Sequence, residues 1–354
     1  MKILHTADVH LREIGDKRWE ALQKLIEAGK KEGAEILAIS GDLFDKGANA
    51  EALRPKIREV FSNNGFKIVL IPGNHDLDAY QKGMYFGDDT VILSELDAPF
   101  TYQDIRIWGL PFAPKTGSVL LEELHRLKDK LTADKINILL YHGELLDAFF
   151  AREAFGEEGE ERYMPLKLSY FKDLNFTYIL GGHFHSNFDI RKLENENAGY
   201  FVYPGSPVSI TKKETGRRKV NLLEPGKPPQ EYVLDTFHFE EIKIALDPFN
   251  PQDPLETIKE KIGGLPEEAS LLLTVGGYID SAQTASEEEL VRQIREIAGE
   301  KTAEEHLEFK DIHTILEDSL FQSFIHKLEE KNCVGEKKKE LRELAIKAIM
   351  EARG

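Results

Sequence analysis

The stretch Gly41-Asp42-Leu43-Phe44-Asp45 constrains this chain more than any other. An apolar run from Ala34 to Ile39 leads into it and reads as a buried strand. The strand stops at a glycine and delivers two carboxylates three residues apart. Four other apolar runs end in the same way. Lys2 to Ala7 delivers Asp8 and His10, Phe66 to Pro72 delivers Asn74 and His75, and Lys135 to Tyr141 delivers His142. Phe176 to Leu180 delivers Gly181-Gly182-His183-Phe184-His185. One strand ending in a histidine means little. Five in succession place seven metal ligands on one edge of a sheet: Asp8, His10, Asp42, Asn74, His142, His183 and His185.

Helices fill the gaps between the early runs. Trp19, Leu22, Leu25 and Ile26 repeat at helical spacing over 18–31, and Leu53, Ile57, Val60 and Phe61 mark a second helix closed by Asn63-Asn64-Gly65. Strand, helix, strand, helix, strand predicts parallel pairing with crossover helices, with substrate bound at the carboxyl ends of the strands. Short strands follow at 90–93 and 105–110, then a helical stripe of Leu120, Leu121, Leu124, Leu127 and Leu131. Residues 147–168 are loop-rich. The acidic stretch Gly156 to Arg162 reads as a solvated flap, and further β segments fall at 218–223 and 231–237.

Asp247-Pro248-Phe249-Asn250-Pro251 interrupts the pattern and marks a boundary near 240–250. Beyond it, strands at 241–246, 270–276 and 306–310 alternate with helices at 254–262 and 286–298, predicting a small α/β domain over 241–315. The tail, 316–354, is helical. One apolar stripe holds Leu320, Phe321, Phe324, Ile325 and Leu328, and a second holds Leu341, Leu344, Ala345, Ala348 and Ile349. These stripes fit either packing on the chain itself or docking on a coiled-coil partner.

The net charge of -17 argues against a protein that coats nucleic acid by bulk charge, but not against a local basic groove or a site where cations supply the positive charge. Cys333 is the only cysteine, so no internal disulfide forms. The chain runs from Met1 straight into a strand and holds no apolar run near the ~18 residues of a membrane span. The expectation is a cytoplasmic protein with no membrane partner.

Two divalent cations ~3.5–4 Å apart need a bridging ligand and several terminal ones. Asp42 is the natural bridge. Asp8, His10 and His185 complete one site, and Asn74, His142 and His183 the other. This mixture of oxygen and imidazole suits manganese, iron or zinc better than calcium, with magnesium as a further alternative. A water shared by such a pair loses its proton near neutral pH and becomes a nucleophile. His75 follows Asn74 directly and is placed to give a proton to a leaving oxygen, with Asp45 fixing its orientation and raising its pKa. Asp76 reads as structural, and Tyr141 and Glu144 as packing or support. Lys212, Lys213, Arg217, Arg218 and Lys219 form the densest basic cluster, near a hairpin turn over Thr211 to Gly216, and Arg12, Lys17 and Arg18 follow the first ligand loop. Both groups are candidate contacts to a DNA backbone, with an exposed turn as the plain alternative for the first.

Asp8-Val9-His10, Gly41-Asp42-Leu43-Phe44-Asp45, Gly73-Asn74-His75-Asp76, His142-Gly143 and Gly182-His183-Phe184-His185 resemble the five signatures of the calcineurin-like metallophosphoesterases, over residues 1 to about 210. Within that superfamily the wording, including Tyr203-Pro204-Gly205-Ser206-Pro207, is most similar to the SbcD-type DNA repair nucleases. The resemblance implies a two-sheet α/β/β/α sandwich over 1–240, a small α/β capping domain over 241–315 and the helical tail. It also implies manganese, exonuclease and endonuclease activity, and an SMC-like coiled-coil ATPase (SbcC-type) as partner. The ATPase must be a separate chain, because no phosphate-binding G-x-x-x-x-G-K-[ST] loop occurs here. A small-molecule phosphodiesterase or phosphatase is the alternative. A non-enzymatic scaffold is disfavoured because all seven ligands are present. A homodimer through the helices at 18–31 and 50–61 is compatible with the sequence.

Overall fold

A computed structural model of the chain describes residues 1–80, 85–115, 117–147, 163–250, 252–331 and 334–353. The acidic stretch 156–162 and Cys333 lie outside the described residues. The chain divides into two compact units, Met1–Phe239 and Glu240–Gly354.

The first unit begins with β1 (Ile3–Thr6), α1 (Lys17–Glu32), β2 (Ile36–Ser40), α2 (Ala50–Phe61), β3 (Lys67–Ile71) and β4 (Thr90–Ile92). The Asp16 side chain caps α1 by accepting the Trp19 amide, and Asn49 caps α2 by accepting the Ala52 amide. The four strands pair in parallel. A second sheet follows, from β5 (Phe100–Tyr102), β6 (Ile105–Leu110), α3 (Gly117–Arg126), β7 (Ile136–His142), β8 (Tyr178–Gly182), β9 (Asp189–Lys192) and β10 (Tyr200–Tyr203). The chain then returns, and β11 (Lys219–Leu223) and β12 (Gln230–Val233) extend the first sheet by pairing antiparallel from the β1 side. The sheet orders are β12-β11-β1-β2-β3-β4 and β5-β6-β7-β8-β10-β9.

Alternation along the strands explains the layers. Ile36 and Ala38 of β2, Val69 and Ile71 of β3, and Ile138 and Leu140 of β7 share one core between the two sheets. Their neighbours Leu37, Ile39, Ile68 and Leu70 face α1 and α2, while Leu139 and Tyr141 face the α3 side. Both faces of each sheet are covered, so the central strands are predominantly apolar on both faces, as parallel sheets require. The result is an α/β/β/α sandwich. Register sets the site: Thr6 lies beside Ile39, Ser40 beside Ile71, and His142 beside Gly182. The loops carrying Asp8, Asp42, Asn74, His142 and His183 therefore leave the sheets at one end.

The second unit orders β13 (His238–Leu246), β14 (Ala269–Ile279) and β15 (Thr302–Asp311) in a three-stranded sheet, with α4 (Pro254–Gly263) and α5 (Glu287–Ala298) between the strands in sequence. Its core joins Ile244, Ile258, Leu271, Val275, Leu290 and Ile294. The short α6 (His313–Leu316), α7 (Ser319–Glu330) and α8 (Glu336–Arg353) form a second cluster with Phe249, Ile312, Phe321 and Ile346. The tail thus packs on its own unit. The α8 stripe differs from the sequence expectation: Ile346 is the buried position, and Leu344 is 63% exposed. Alanines and lysines on both faces of α8 leave its apolar face shallow, and the neighbouring Phe249 and Ile312 select which side is covered. No helix among the described residues is long and apolar enough to cross a membrane.

Candidate metal centre

The backbone at the strand ends is unusual before any side chain is considered. Asp8, His10, Asp42 and His183 adopt left-handed φ values of 56°, 52°, 50° and 95°. Non-glycine residues there cost on the order of 1–3 kcal/mol each and persist only where surrounding contacts enforce them. The enforcing contacts are present. The His10 amide donates to Asp42 O at 3.0 Å and the Leu11 amide to Leu43 O at 2.9 Å. The His183 amide lies 3.0 Å from both Asp8 carboxylate oxygens, and the His75 amide donates to Asp42 Oδ1 at 2.9 Å. Gly73 is required by this packing, since a β-carbon there would enter the Asp42 carboxylate and amide. Asp76 ties the loops together by accepting the Gly73 amide at 2.6 Å and the Leu43 amide at 2.7 Å. Burial, and then Asp42, push its carboxyl up to about 7.

The structure brings all seven sequence-predicted ligands together. Asp8, His10, Asp42, His142, His183 and His185 are buried, and Asn74 is half-buried. Asp8, His10 and His185 form one group, with His10 Nε2 and His185 Nε2 3.2 Å apart and His185 Nε2 3.8 Å from Asp8 Oδ1. Asp42 Oδ2 stands between this group and the next, 3.7 Å from His10 Nε2 and 3.3 Å from His142 Nε2. Asn74 Oδ1 is 2.8 Å from His142 Nε2, and the His183 ring centroid is 5.4 Å from that of His142. Asp8 also groups with Asp42 and His142, so it reaches both halves of the cluster.

The charges are strongly coupled. Burial works against ionising Asp42, but the attraction of His142, then His10, wins and holds its carboxyl below the usual range. Burial, the largest influence on Asp8, pushes that carboxyl up. Burial disfavours a charged His142, yet Asp42, then Asp8, raise it to about 10. Burial and the neighbouring His142 push His183 well down. Asp42 Oδ2 is buried and accepts no hydrogen bond from any described residue. A lone pair left unmet among carboxylate, amide and imidazole donors fits the binding of divalent cations.

Asp45 is busier than the sequence suggests. Its Oδ1 lies 3.5 Å from His75 Nδ1 and 3.4 Å from His10 Nδ1. Its Oδ2 takes Arg18 Nη1 at 2.7 Å and Arg12 Nε at 2.6 Å. Burial opposes its charge, but His10, His75 and Arg18 together hold the carboxyl far below its ordinary value. One carboxylate thus orients a candidate ligand and a candidate proton donor.

The predicted DNA contacts separate into three kinds. Lys212 and Lys213 are exposed, and Arg12 is 61% exposed but pairs through Nε with Asp45. Lys17 and Arg217 are exposed but paired with Glu20 and Asp235. Arg18 is committed to Asp45 and to His10 O. Arg218 does not fit the expected role. It is 3% exposed, and its guanidinium donates to the main-chain oxygens of His185, Ser186 and Ser206. Sequence reasoning also passed over Glu214, a lone acid within the basic run Lys212 to Arg218. That incongruity was the available signal. Glu214 is buried, and burial pushes its carboxyl up, but His185, the Ile210 amide and Arg218 outweigh this and hold it at about 2. Tyr163, also unpredicted, sets its ring 4.9 Å from that of His183. Tyr141 is a support, with its hydroxyl 3.1 Å from Glu144 O.

Residues 1–187 match the calcineurin-like phosphoesterase family. The DNA double-strand break repair protein Mre11 of Saccharolobus solfataricus is 25% identical over 241 residues, covering 60% of this chain and 56% of that protein. The D component of the SbcCD nuclease of Staphylococcus saprophyticus is 24% identical over 298 residues, covering 73% and 72%. The match therefore spans little more than half of the archaeal relative. A Thermus thermophilus protein of known structure, TT1561, aligns with a TM-score of 0.45 at 16% identity, over 66% of this chain and 98% of its own.

Proposed function

Because the chain belongs to the calcineurin-like phosphoesterase family, we propose that it is a metal-dependent DNA nuclease, exonuclease and endonuclease, acting in DNA repair. The observation that carries this reading is the meeting of two buried carboxylates and four buried imidazoles around the unmet Asp42 Oδ2. The names of the relatives, a double-strand break repair protein and a nuclease component, point the same chemistry at DNA.

In this reading Asp42 would help to hold two divalent cations, manganese by preference. Asp8, His10 and His185 would hold one, and Asn74, His142 and His183 the other. When bound, the cations acidify water and neutralise charge on the phosphodiester. The rest falls to the protein. His75, beside Asn74 and partly exposed, carries a proton on its outward nitrogen to the leaving oxygen, while Asp45 holds Nδ1. Arg12 and the Lys212–Lys213 turn grip backbone phosphates. The unit after Phe239 takes part in substrate recognition, and the tail, with Leu320 and Leu344 exposed, docks a separate SMC-like ATPase in the cytoplasm.

The test is a nuclease assay on single-stranded, blunt and overhanging DNA with a series of divalent metals, run beside bis(p-nitrophenyl) phosphate. Cleavage of DNA with manganese supports the reading. Hydrolysis of the small ester without attack on any polynucleotide assigns the protein to small phosphodiesters instead.

A further inference from the structure

Glu214 is buried in the turn that follows β10, on the far side of His185 from the other candidate ligands. Donors surround its carboxylate. Oε2 accepts the Ser206 hydroxyl at 3.1 Å and the Ile210 amide at 2.8 Å. Oε1 accepts the Thr211 amide at 3.3 Å and hydroxyl at 3.1 Å, and lies 3.6 Å from His185 Nδ1. The other ring nitrogen, Nε2, faces His10 Nε2 at 3.2 Å and Asp8 Oδ1 at 3.8 Å. The imidazole therefore has one nitrogen toward a carboxylate and one toward the candidate ligands. Arg218 fixes the backbone beneath the ring, with Nη2 donating to His185 O and Nη1 to Ser186 O at 3.3 Å. His142 is oriented differently, because its Nδ1 meets a neutral acceptor, Ser40 O, at 2.8 Å.

We propose that Glu214 is a positioning residue for the Asp8–His10–His185 cation, keeping a proton on His185 Nδ1 so that Nε2 is the ligating nitrogen. The inference rests on the two-cation reading above. A carboxylate behind a ligating imidazole fixes its tautomer and strengthens it as a ligand, and removing such a partner costs roughly 10–100-fold in metal affinity. Glu214 stands behind only one of the two groups, so its loss is selective. Glutamine cannot replace it quietly, because an amide NH2 group at either oxygen position would face the amides of Ile210 or Thr211. The same carboxylate holds the turn that presents Lys212 and Lys213, which places a candidate phosphate grip and a metal ligand on one support.

The experiment is calorimetric titration of the full chain with Mn2+, comparing wild type, Glu214→Gln and Thr211→Val. The expected result is two cations for wild type and ~10–100-fold weaker binding of one of them in Glu214→Gln, with the other kept within about twofold. Thr211→Val loosens the turn but keeps the carboxylate facing His185, and should bind both as wild type does. Imidazole 15N spectra of the Zn2+-loaded wild type provide a readout independent of any variant. They should show His185 protonated at Nδ1 and ligated through Nε2. Equal affinities in wild type and Glu214→Gln, an equal loss in Thr211→Val, or ligation through Nδ1 would each overturn the inference while leaving the two-cation reading standing. A wild type that binds no pair of cations removes that reading and the inference with it.

Discussion

His142 Nδ1 lies 2.8 Å from the main-chain oxygen of Ser40, the last residue of β2, so the two sheets meet through a ring whose Nδ1–H donates across the gap. That bond leaves Nε2 for Asp42 and Asn74. Without a cation the Nε2 position holds a proton as well, since Asp42 and Asp8 overcome burial and raise His142 to about 10. Cation binding at pH 7 must then expel a proton. Calorimetry in buffers of different ionisation enthalpy should detect about one proton released, and affinity for that site should fall as pH falls.

Asp45 touches both His10 and His75, so removing it disturbs a candidate ligand and a candidate proton donor together. Asp45→Ala is expected to lower kcat by roughly 100-fold or more through misplacement of these rings. His75→Ala should lower kcat to a similar extent, by ~10²–10⁴-fold, but retain both cations. Steady-state kinetics alongside metal titration distinguish the two variants.

His5 is a buried histidine outside the cluster. Ser40 donates its hydroxyl to Leu180 O, so Ser40 Oγ accepts from His5 Nε2 at 3.1 Å, and the ring is neutral. Burial lowers it from 6.5 to about 3. The unfolded chain binds this proton more readily, so the stabilising contribution is complete above pH 6.5 and is lost as pH falls toward 3. The slope for one such group is about 1.4 kcal/mol per pH unit inside that window. Urea unfolding of the metal-free protein should show a shallower pH dependence for His5→Gln than for wild type.

Lys212 and Lys213 are exposed, whereas Arg218 is buried and engaged. The double variant Lys212→Ala/Lys213→Ala should weaken DNA binding and reduce the salt slope by about one to two, with little change in melting temperature. Arg218→Ala should instead destabilise the fold, because it removes a buried guanidinium that donates to three main-chain oxygens. Binding isotherms at several salt concentrations and thermal melts check both.

The sandwich and the cluster were legible because both rest on local signals. Apolar runs ending in glycine, carboxylate and imidazole announce strand ends, and parallel register then brings those ends together. What stayed hidden depends on distance. Nothing near Lys219 indicates that β11 returns to pair with β1, and so nothing shows that Arg218 enters the interior or that Glu214 comes to stand behind His185. A basic run reads as a surface until the fold supplies the carbonyls that cover it. Asp45 does lie beside His75, but its bonds to Arg12, Arg18 and His10 required α1 and the first loop to cross the Gly41 loop.

Everything proposed for this site depends on Asp42 helping to hold two cations with residues from five separate loops. Anomalous diffraction from crystals of the full chain soaked in Mn2+ tests it directly. Two peaks ~3.5–4 Å apart are expected beside Asp42, one contacted by His185 and the other by His142. A single peak, peaks away from Asp42, or none after soaking would contradict it.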